Sequence, residues 1–324
     1  MKRRHLVLGG LAATAILPRV AIGQTDKTVI RIANLDIGPF APMAYVTKLA
    51  DKYGIKVQVT GFRRGLESAQ AVASDAADVG VGGVEAAISA VAAGSPSTIV
   101  AGCTSGGIGW VARKGSGIKT IPDLKGKRFA VIRGLHELVM HAVFAKYGLT
   151  SSQESGADVQ LFYINAPPAL GTALRNGDVD AMSAPEPFPS RALLDGYATP
   201  LPPPYDTELG AVPRAIFMRK AFVAEHPDVS QRFIAAYVEA MKIFRDQPKV
   251  AENFVLNDAL KGAMSEQDWQ LSIKNQTWDV AMSQEIVTSY IRDLTKYGML
   301  RKPLNAADFT SLAMLDKAKA TVGW

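Results

Sequence analysis

Asp78-Val79-Gly80-Val81-Gly82-Gly83-Val84-Glu85-Ala86-Ala87-Ile88-Ser89-Ala90-Val91-Ala92-Ala93-Gly94 compresses a strand, a glycine turn and a helix into one stretch. Val79-Gly80-Val81 is short and apolar, residues 84–93 are Ala-rich, and Gly94 marks the helix stop. Outward from this unit the same alternation repeats. Val29-Ile30-Arg31-Ile32-Ala33 and Ile55-Lys56-Val57-Gln58-Val59 read as strands, residues 42–53 and 65–77 as helices, and residues 97–101 as a further strand. Strands alternating with helices predict α/β architecture with a largely parallel sheet. A second block follows Gly115-Ser116-Gly117 with the same logic. Its strands are predicted at 128–132, 159–163, 179–182 and 197–201, and its helices at 134–147, 167–176 and 187–194. Pro200-Leu201-Pro202-Pro203-Pro204 is a stiff connector. Residues 214–218 read as a strand returning to the first block. The remainder is helical, notably 228–246, 266–274 and 284–297, with Ile234, Val238, Met241 and Phe244 on one face.

The first residues carry an export pattern. Lys2, Arg3 and Arg4 precede an apolar run over 6–17, Pro18 breaks it, and Ala21-Ile22-Gly23 supplies small residues for cleavage. The run is shorter than the roughly 20 apolar residues that span a bilayer. A signal peptide is expected over 1–23, cleaved near Gly23. Arg3-Arg4 resembles a twin-arginine signal, with Sec export as the alternative. The formal charge of +6 includes Lys2, Arg3, Arg4 and Arg19 of this leader, so the remainder is nearly balanced and has no nucleic-acid footprint. The single cysteine, Cys103, is expected to be a buried thiol.

Catalytic constellations are not found. His136-Glu137-Leu138-Val139-Met140-His141 misses the zinc motif by one residue, and five residues turn a helix by about 500°, which aims the two imidazoles apart. Gly80-Val81-Gly82-Gly83 lacks the dinucleotide fingerprint and suits close backbone approach to a ligand. Asp75 and Asp78 read as solvated caps at a helix end. No metal or cofactor is expected.

Four segments in order resemble the nitrate/sulfonate/taurine-type solute-binding proteins of ABC importers. They are Asp78–Gly83 with its Ala-rich helix, Ile121-Pro122-Asp123-Leu124-Lys125-Gly126-Lys127, Ala173 to Ala181 followed by Glu186-Pro187, and His226-Pro227-Asp228 with its long helix. The Gly82–Glu85 arrangement is similar to the pyrimidine-precursor branch. The resemblance implies a periplasmic-binding-protein type II-like fold of two α/β lobes joined by two hinge strands. Lobe 1 is expected over 24–114 and 213–324, with the C-terminal helices on it, and lobe 2 over 115–212. The crossovers are expected near 113–117 and 209–214. The implied role is a monomeric periplasmic protein, not an enzyme, that captures a small solute and hands it to an inner-membrane permease driven by an ATPase. The alternatives are a same-fold pyrimidine-precursor synthase or a ligand-presenting subunit of a membrane sensor.

Ligands of open α/β sheets sit beyond the carboxyl ends of the strands. That rule selects Asp36, Ile37 and Phe40 after the first strand, Arg63 after the second, and Gly83 and Glu85 after the third. In the second block it selects Gly134, His136, Asn165 and Glu186. An anion site wants arginine and bare helix N-termini, whereas the carboxylates among these residues suit a ligand with N–H donors. A sulfonate, a carboxylate and a nitrogen heterocycle therefore all stand as candidate ligands.

Overall fold

The computed structural model describes residues 28–324, and the expected signal peptide lies outside them. The first sheet holds β1 (Val29–Leu35), β2 (Lys56–Phe62), β3 (Val79–Gly83) and β4 (Ser97–Gly106). The chain then enters β5 (Ile108–Arg113), β6 (Lys127–Val131), β7 (Ser151–Ser152), β8 (Val159–Tyr163), β9 (Ala181–Pro185) and β10 (Ala198–Pro200) of a second sheet. It returns with β11 (Pro213–Arg219) and β12 (Gln276–Thr277). The sheet orders are β12-β4-β11-β3-β1-β2 and β10-β5-β9-β6-β8-β7. Both have one plan. Three parallel strands, β2-β1-β3 or β8-β6-β9, are followed by an antiparallel strand contributed as the chain arrives from the other sheet.

This pairing corrects the expected first crossover. Ile108–Arg113 pairs antiparallel with β9, so the chain changes sheets at Gly106–Gly107, both at positive φ, and not at 113–117. Gly115-Ser116-Gly117 is a turn inside the second lobe: the Ser116 N–H donates to the Arg113 carbonyl. The second passage runs through residues 201–212.

Helices cover both sheets. Around the first lie α1 (Ala41–Leu49), α2 (Gly65–Ala73) and α3 (Val84–Ala92). Around the second lie α4 (Leu135–Lys146), α5 (Pro167–Asn176) and α6 (Phe188–Leu194). The C-terminal set is α7 (Lys220–Glu225), α8 (Pro227–Asp246), α9 (Pro248–Phe254), α10 (Glu266–Lys274), α11 (Gln284–Lys296) and α12 (Ala313–Val322). Pro227 starts α8 at a position that tolerates a missing N–H. Its Phe233, Tyr237, Met241 and Phe244 recur on one face and are fully buried. The Tyr237 hydroxyl donates to the Gly102 carbonyl at 2.9 Å, tying α8 to β4. In the second lobe Trp110, Phe129 and Phe144 pack ring to ring at 4.8–5.8 Å. Among the described residues, no helix is long and apolar enough to cross a membrane.

One device is used twice. Asp78, directly before β3, accepts from the Arg31 backbone N–H at 2.9 Å, Arg31 Nε at 2.9 Å and Arg31 Nη2 at 2.7 Å, and from Arg219 Nη2 at 2.9 Å. Asp180, directly before β9, accepts from the Arg128 backbone N–H at 3.0 Å, Arg128 Nε at 3.1 Å and Arg128 Nη2 at 2.9 Å. Arg113 approaches it at 3.5 Å. In each lobe a carboxylate staples three neighbouring strands at the end away from the helix-starting loops. The solvated-cap expectation for Asp78 is thereby corrected: its side chain is 2% exposed. Burial pushes the Asp78 carboxyl up, but the hydrogen bonds from Arg31 and Arg219 outweigh it and hold it below its ordinary value.

Asp78→Asn removes the buried one of two carboxylates that pair with Arg219, leaving the exposed Asp75. Loss of one partner of a buried pair costs roughly 3–5 kcal/mol, and Arg31 is partly solvated, so about 2–3 kcal/mol is expected at neutral pH. A depressed carboxyl stabilises above its unfolded pKa of about 4 and loses that contribution as pH falls through its folded value. The gap between wild type and Asp78→Asn in chemical denaturation therefore narrows in acid. Equal stability at neutral pH would exclude the clamp as a stabilising element.

Candidate interlobe site

The carboxyl ends of the two sheets face a shared space, and several polar side chains are buried there. Glu85 stands in the first turn of α3 and reaches across to the start of α4. A Cβ on Gly134 would lie 3.2 Å from Glu85 Oε1. Glu85 is 8% exposed and its Oε2 has no hydrogen-bond partner. Burial pushes its carboxyl up to about 7, against the nearby N–H groups of Glu85 itself, Leu135 and Ala86 and the charge of Arg214. Gly134 precedes α4 at φ 94°, ψ −125°, a conformation glycine adopts freely.

Arg214 comes from β11, opposite Gly83 in register. It is 4% exposed and donates to the Thr104 hydroxyl at 3.1 Å, the Thr104 carbonyl at 3.4 Å and the Gly106 carbonyl at 2.9 Å. Its guanidinium lies 5.7 Å from the centroid of the Phe40 ring. His136 stands in the first turn of α4, with Nδ1 3.1 Å from the Ser183 hydroxyl. Burial, then the charge of Arg214, lowers its pKa to about 3, so the ring is neutral. Tyr290 of α11 is buried with an unpartnered hydroxyl, and both amide atoms of Gln276 are buried and unpartnered. Glu186 accepts from Asn275 Nδ2 at 2.7 Å and from the Ser190 N–H at 3.2 Å, and burial raises its pKa. A cavity of about 490 Å³ runs beside Glu186, Asn275, Gln276, Tyr205 and Trp110.

The structure thus gathers Phe40, Gly83, Glu85, Gly134, His136 and Glu186 at the facing strand ends. Asp36 and Ile37 go elsewhere. The Asp36 N–H still bonds Phe62, so its carboxyl lies over Gly61, and both residues line a separate cavity of about 300 Å³ under α1 with Asn34, Lys48 and Asp258. Arg63 is exposed, with its N–H on the Glu67 carboxylate. Asn165 is exposed and accepts from the Arg133 N–H. Arg214, Tyr290, Gln276 and Asn275 were not selected by the strand-end rule. They lie on the returning strand and the C-terminal segment, and the one sequence signal for them is an arginine inside an apolar strand.

Contacts cross the space at several points. Arg191 of α6 makes a two-pronged ion pair with Asp268 of α10, its Nε at 3.0 Å from Oδ1. His141 of α4 stacks on Tyr297, just past α11, at 5.5 Å. Cys103 is buried as expected, and burial raises its thiol.

Residues 23–255 match the NMT1-like family. A Bacillus subtilis (strain 168) protein that carries the name of an aliphatic sulfonates-binding protein is 29% identical over 194 residues, 59% of this chain and 56% of that protein. The match spans little more than half of the curated relative's length. Among solved structures, a ligand-binding component of an ABC-type import system from Staphylococcus aureus aligns at TM-score 0.74 and 17% identity over 90% of this chain and 99% of its own. The alkanesulfonate-binding protein SsuA from Xanthomonas axonopodis pv. citri, bound to MOPS, aligns at 0.73 and 20% over 88% and 98%. The periplasmic nitrate-binding protein NrtA from Synechocystis PCC 6803 aligns at 0.73 and 14% over 91% and 89%. At these identities the likeness is one of fold, a type II periplasmic-binding architecture of two α/β lobes. The family match covers most of the sequence: this chain belongs to the NMT1-like family.

Proposed function

We propose that the protein is the solute-binding component of an ABC importer. In this reading it is exported to the periplasm, acts as a monomer, holds one small solute between its lobes and delivers it to a membrane permease. The lobes that close on the solute are residues 28–106 with 213–324, and residues 107–212. The observation that carries the reading is the set of buried, unpartnered polar atoms between the sheets: Glu85 Oε2, the Tyr290 hydroxyl and the Gln276 amide. Buried polar atoms without partners are costly, and a ligand supplies the missing ones. The named functions of the relatives support the same reading. Phe40, Gly83, Glu85, Gly134, His136 and Glu186, with Arg214, Tyr290 and Gln276, are the proposed ligand shell.

Thermal-shift screening of the purified protein tests it. A ligand at 100 times its Kd stabilises by about 2.7 kcal/mol, so a true solute raises the Tm by several degrees. Failure of sulfonates, nitrate, carboxylates and nitrogen heterocycles alike to move the Tm counts against the proposal. Closure is tested separately at Arg191–Asp268. Arg191 is 44% exposed, so the pair is worth about 0.5–1 kcal/mol. Arg191→Ala should shift the ligand-free balance toward the open form by roughly two- to fivefold, read as a larger radius of gyration in X-ray scattering. An unchanged radius would show that the pair does not govern closure.

A further inference from the structure

We propose that Glu85 is the specificity-determining residue of the cleft: its carboxylate fills the place between two helix N-termini that an oxyanion ligand would take, so the site selects a solute presenting N–H donors. The inference rests on the cleft being a solute site. It names the class of solute as an ammonium, amidine or amide edge in preference to a sulfonate or nitrate.

The helices α3 and α4 start at Gly83 and Gly134; the α3 N-terminus has no side-chain cap bond, and at α4 the Glu137 carboxylate takes only the Gly134 N–H, at 3.3 Å. Bare helix N-termini attract anions. Glu85 brings that anion from within the chain. Its Oε1 lies by Gly134, at the α4 start, and its Oε2 lies by Gly83, at the α3 start. A Cβ on Gly83 would fall 1.9 Å from Oε2, so the glycine is what lets the carboxyl fold back to this position. The place is occupied, yet Oε2 is more than nine-tenths buried and still has no donor.

The nearby N–H groups of Glu85, Leu135 and Ala86 act on the carboxyl, but no side chain donates to Oε2. Among the described residues no cation lies within ion-pairing distance of Glu85. Arg214 directs three hydrogen bonds to Thr104 and Gly106, and His136 is turned to Ser183. The remaining partners are Tyr290 and the Gln276 amide, which offer both donors and an acceptor. An N–H donor at Oε2 favours the ionised form of Glu85, and against that form a second anion meets like-charge repulsion in a water-poor space. An N–H donor would satisfy the orphaned oxygen.

The test is calorimetric titration of wild type, Glu85→Gln and Gly83→Ala with ethanesulfonate and nitrate on one side, and ethylammonium, acetamidine and propionamide on the other. Gly83→Ala keeps the charge but displaces the carboxyl, and the group it meets is the mobile end of a side chain. Circular dichroism confirms that each variant is folded. In wild type at least one donor-bearing probe should bind ten times more tightly than either oxyanion. Both variants should lose at least tenfold of that preference, and Glu85→Gln should gain oxyanion affinity. Oxyanion binding to wild type as tight as donor binding, or an unchanged preference in Glu85→Gln, overturns the inference and leaves the solute-binding proposal standing. Absence of binding by either class to wild type at millimolar concentration overturns both.

Discussion

An aspartate gripped by two arginines, buried in the first lobe and half-buried in the second, ties three strands of each lobe together, and the geometry of the candidate site rests on it. Asp78 joins β1, β3 and β11, and Asp180 joins β6, β9 and β5, with the same atoms in nearly the same geometry. The staple sits at the amino ends of the parallel strands. Hydrogen bonds from several donors make such a carboxylate one of the stronger polar anchors a protein interior can hold. With those ends fixed, the opposite ends are free to keep polar groups incompletely satisfied. The staples and the unpartnered buried groups thus stand at opposite edges of each sheet.

This division explains what was legible in the sequence. The strand–glycine–helix unit at 78–94, the repeated block after it and the helices at 266–274 and 284–296 were readable because periodicity and stop signals are local. The residues of the "Asp-Val-Gly" and "Val-Asp-Ala" segments that carry the family likeness are largely the staples, so the likeness speaks to the fold more than to the ligand. Asp78 was misread because its partners Arg31 and Arg219 are 47 and 141 residues away, and nothing local distinguishes a staple from a cap. The first crossover was misplaced for a related reason. Ile108–Arg113 is an ordinary apolar strand, and which sheet it joins is decided by its pairing with β9. The glycines at 106 and 107 turn the chain without the polar run that usually marks a boundary.

The strand-end rule selects Phe40, Gly83, Glu85, Gly134, His136 and Glu186, and the structure brings them to the facing strand ends, since each follows a parallel strand and its direction is set by topology. Asp36 and Ile37 stand apart from these because β1's bonding to β2 continues one residue further, which carries the Asp36 carboxyl over Gly61. The rule does not reach Arg214, Tyr290 and Gln276, because they come from an antiparallel strand and from segments beyond the repeated blocks. The C-terminal segment also does more than pad the first lobe. It reaches the second through Asp268, Asn275 and Tyr297.

The crossing between the sheets and the candidate site therefore share residues. A Cβ on Gly106 would lie 2.5 Å from the Asn275 carbonyl, and the Gly107 N–H donates to that same carbonyl. The next residue, Gln276, carries one of the unpartnered amides. Each buried unsatisfied group costs about 1–3 kcal/mol, and turning a two-state balance from 1:99 to 99:1 takes about 5.5 kcal/mol. Glu85 Oε2, the Tyr290 hydroxyl and the Gln276 amide together reach that range. If the cleft holds a solute, the empty closed form is penalised by the same atoms that the solute would satisfy. Closure then needs no separate trigger, because a ligand that completes these hydrogen bonds removes what opposed it.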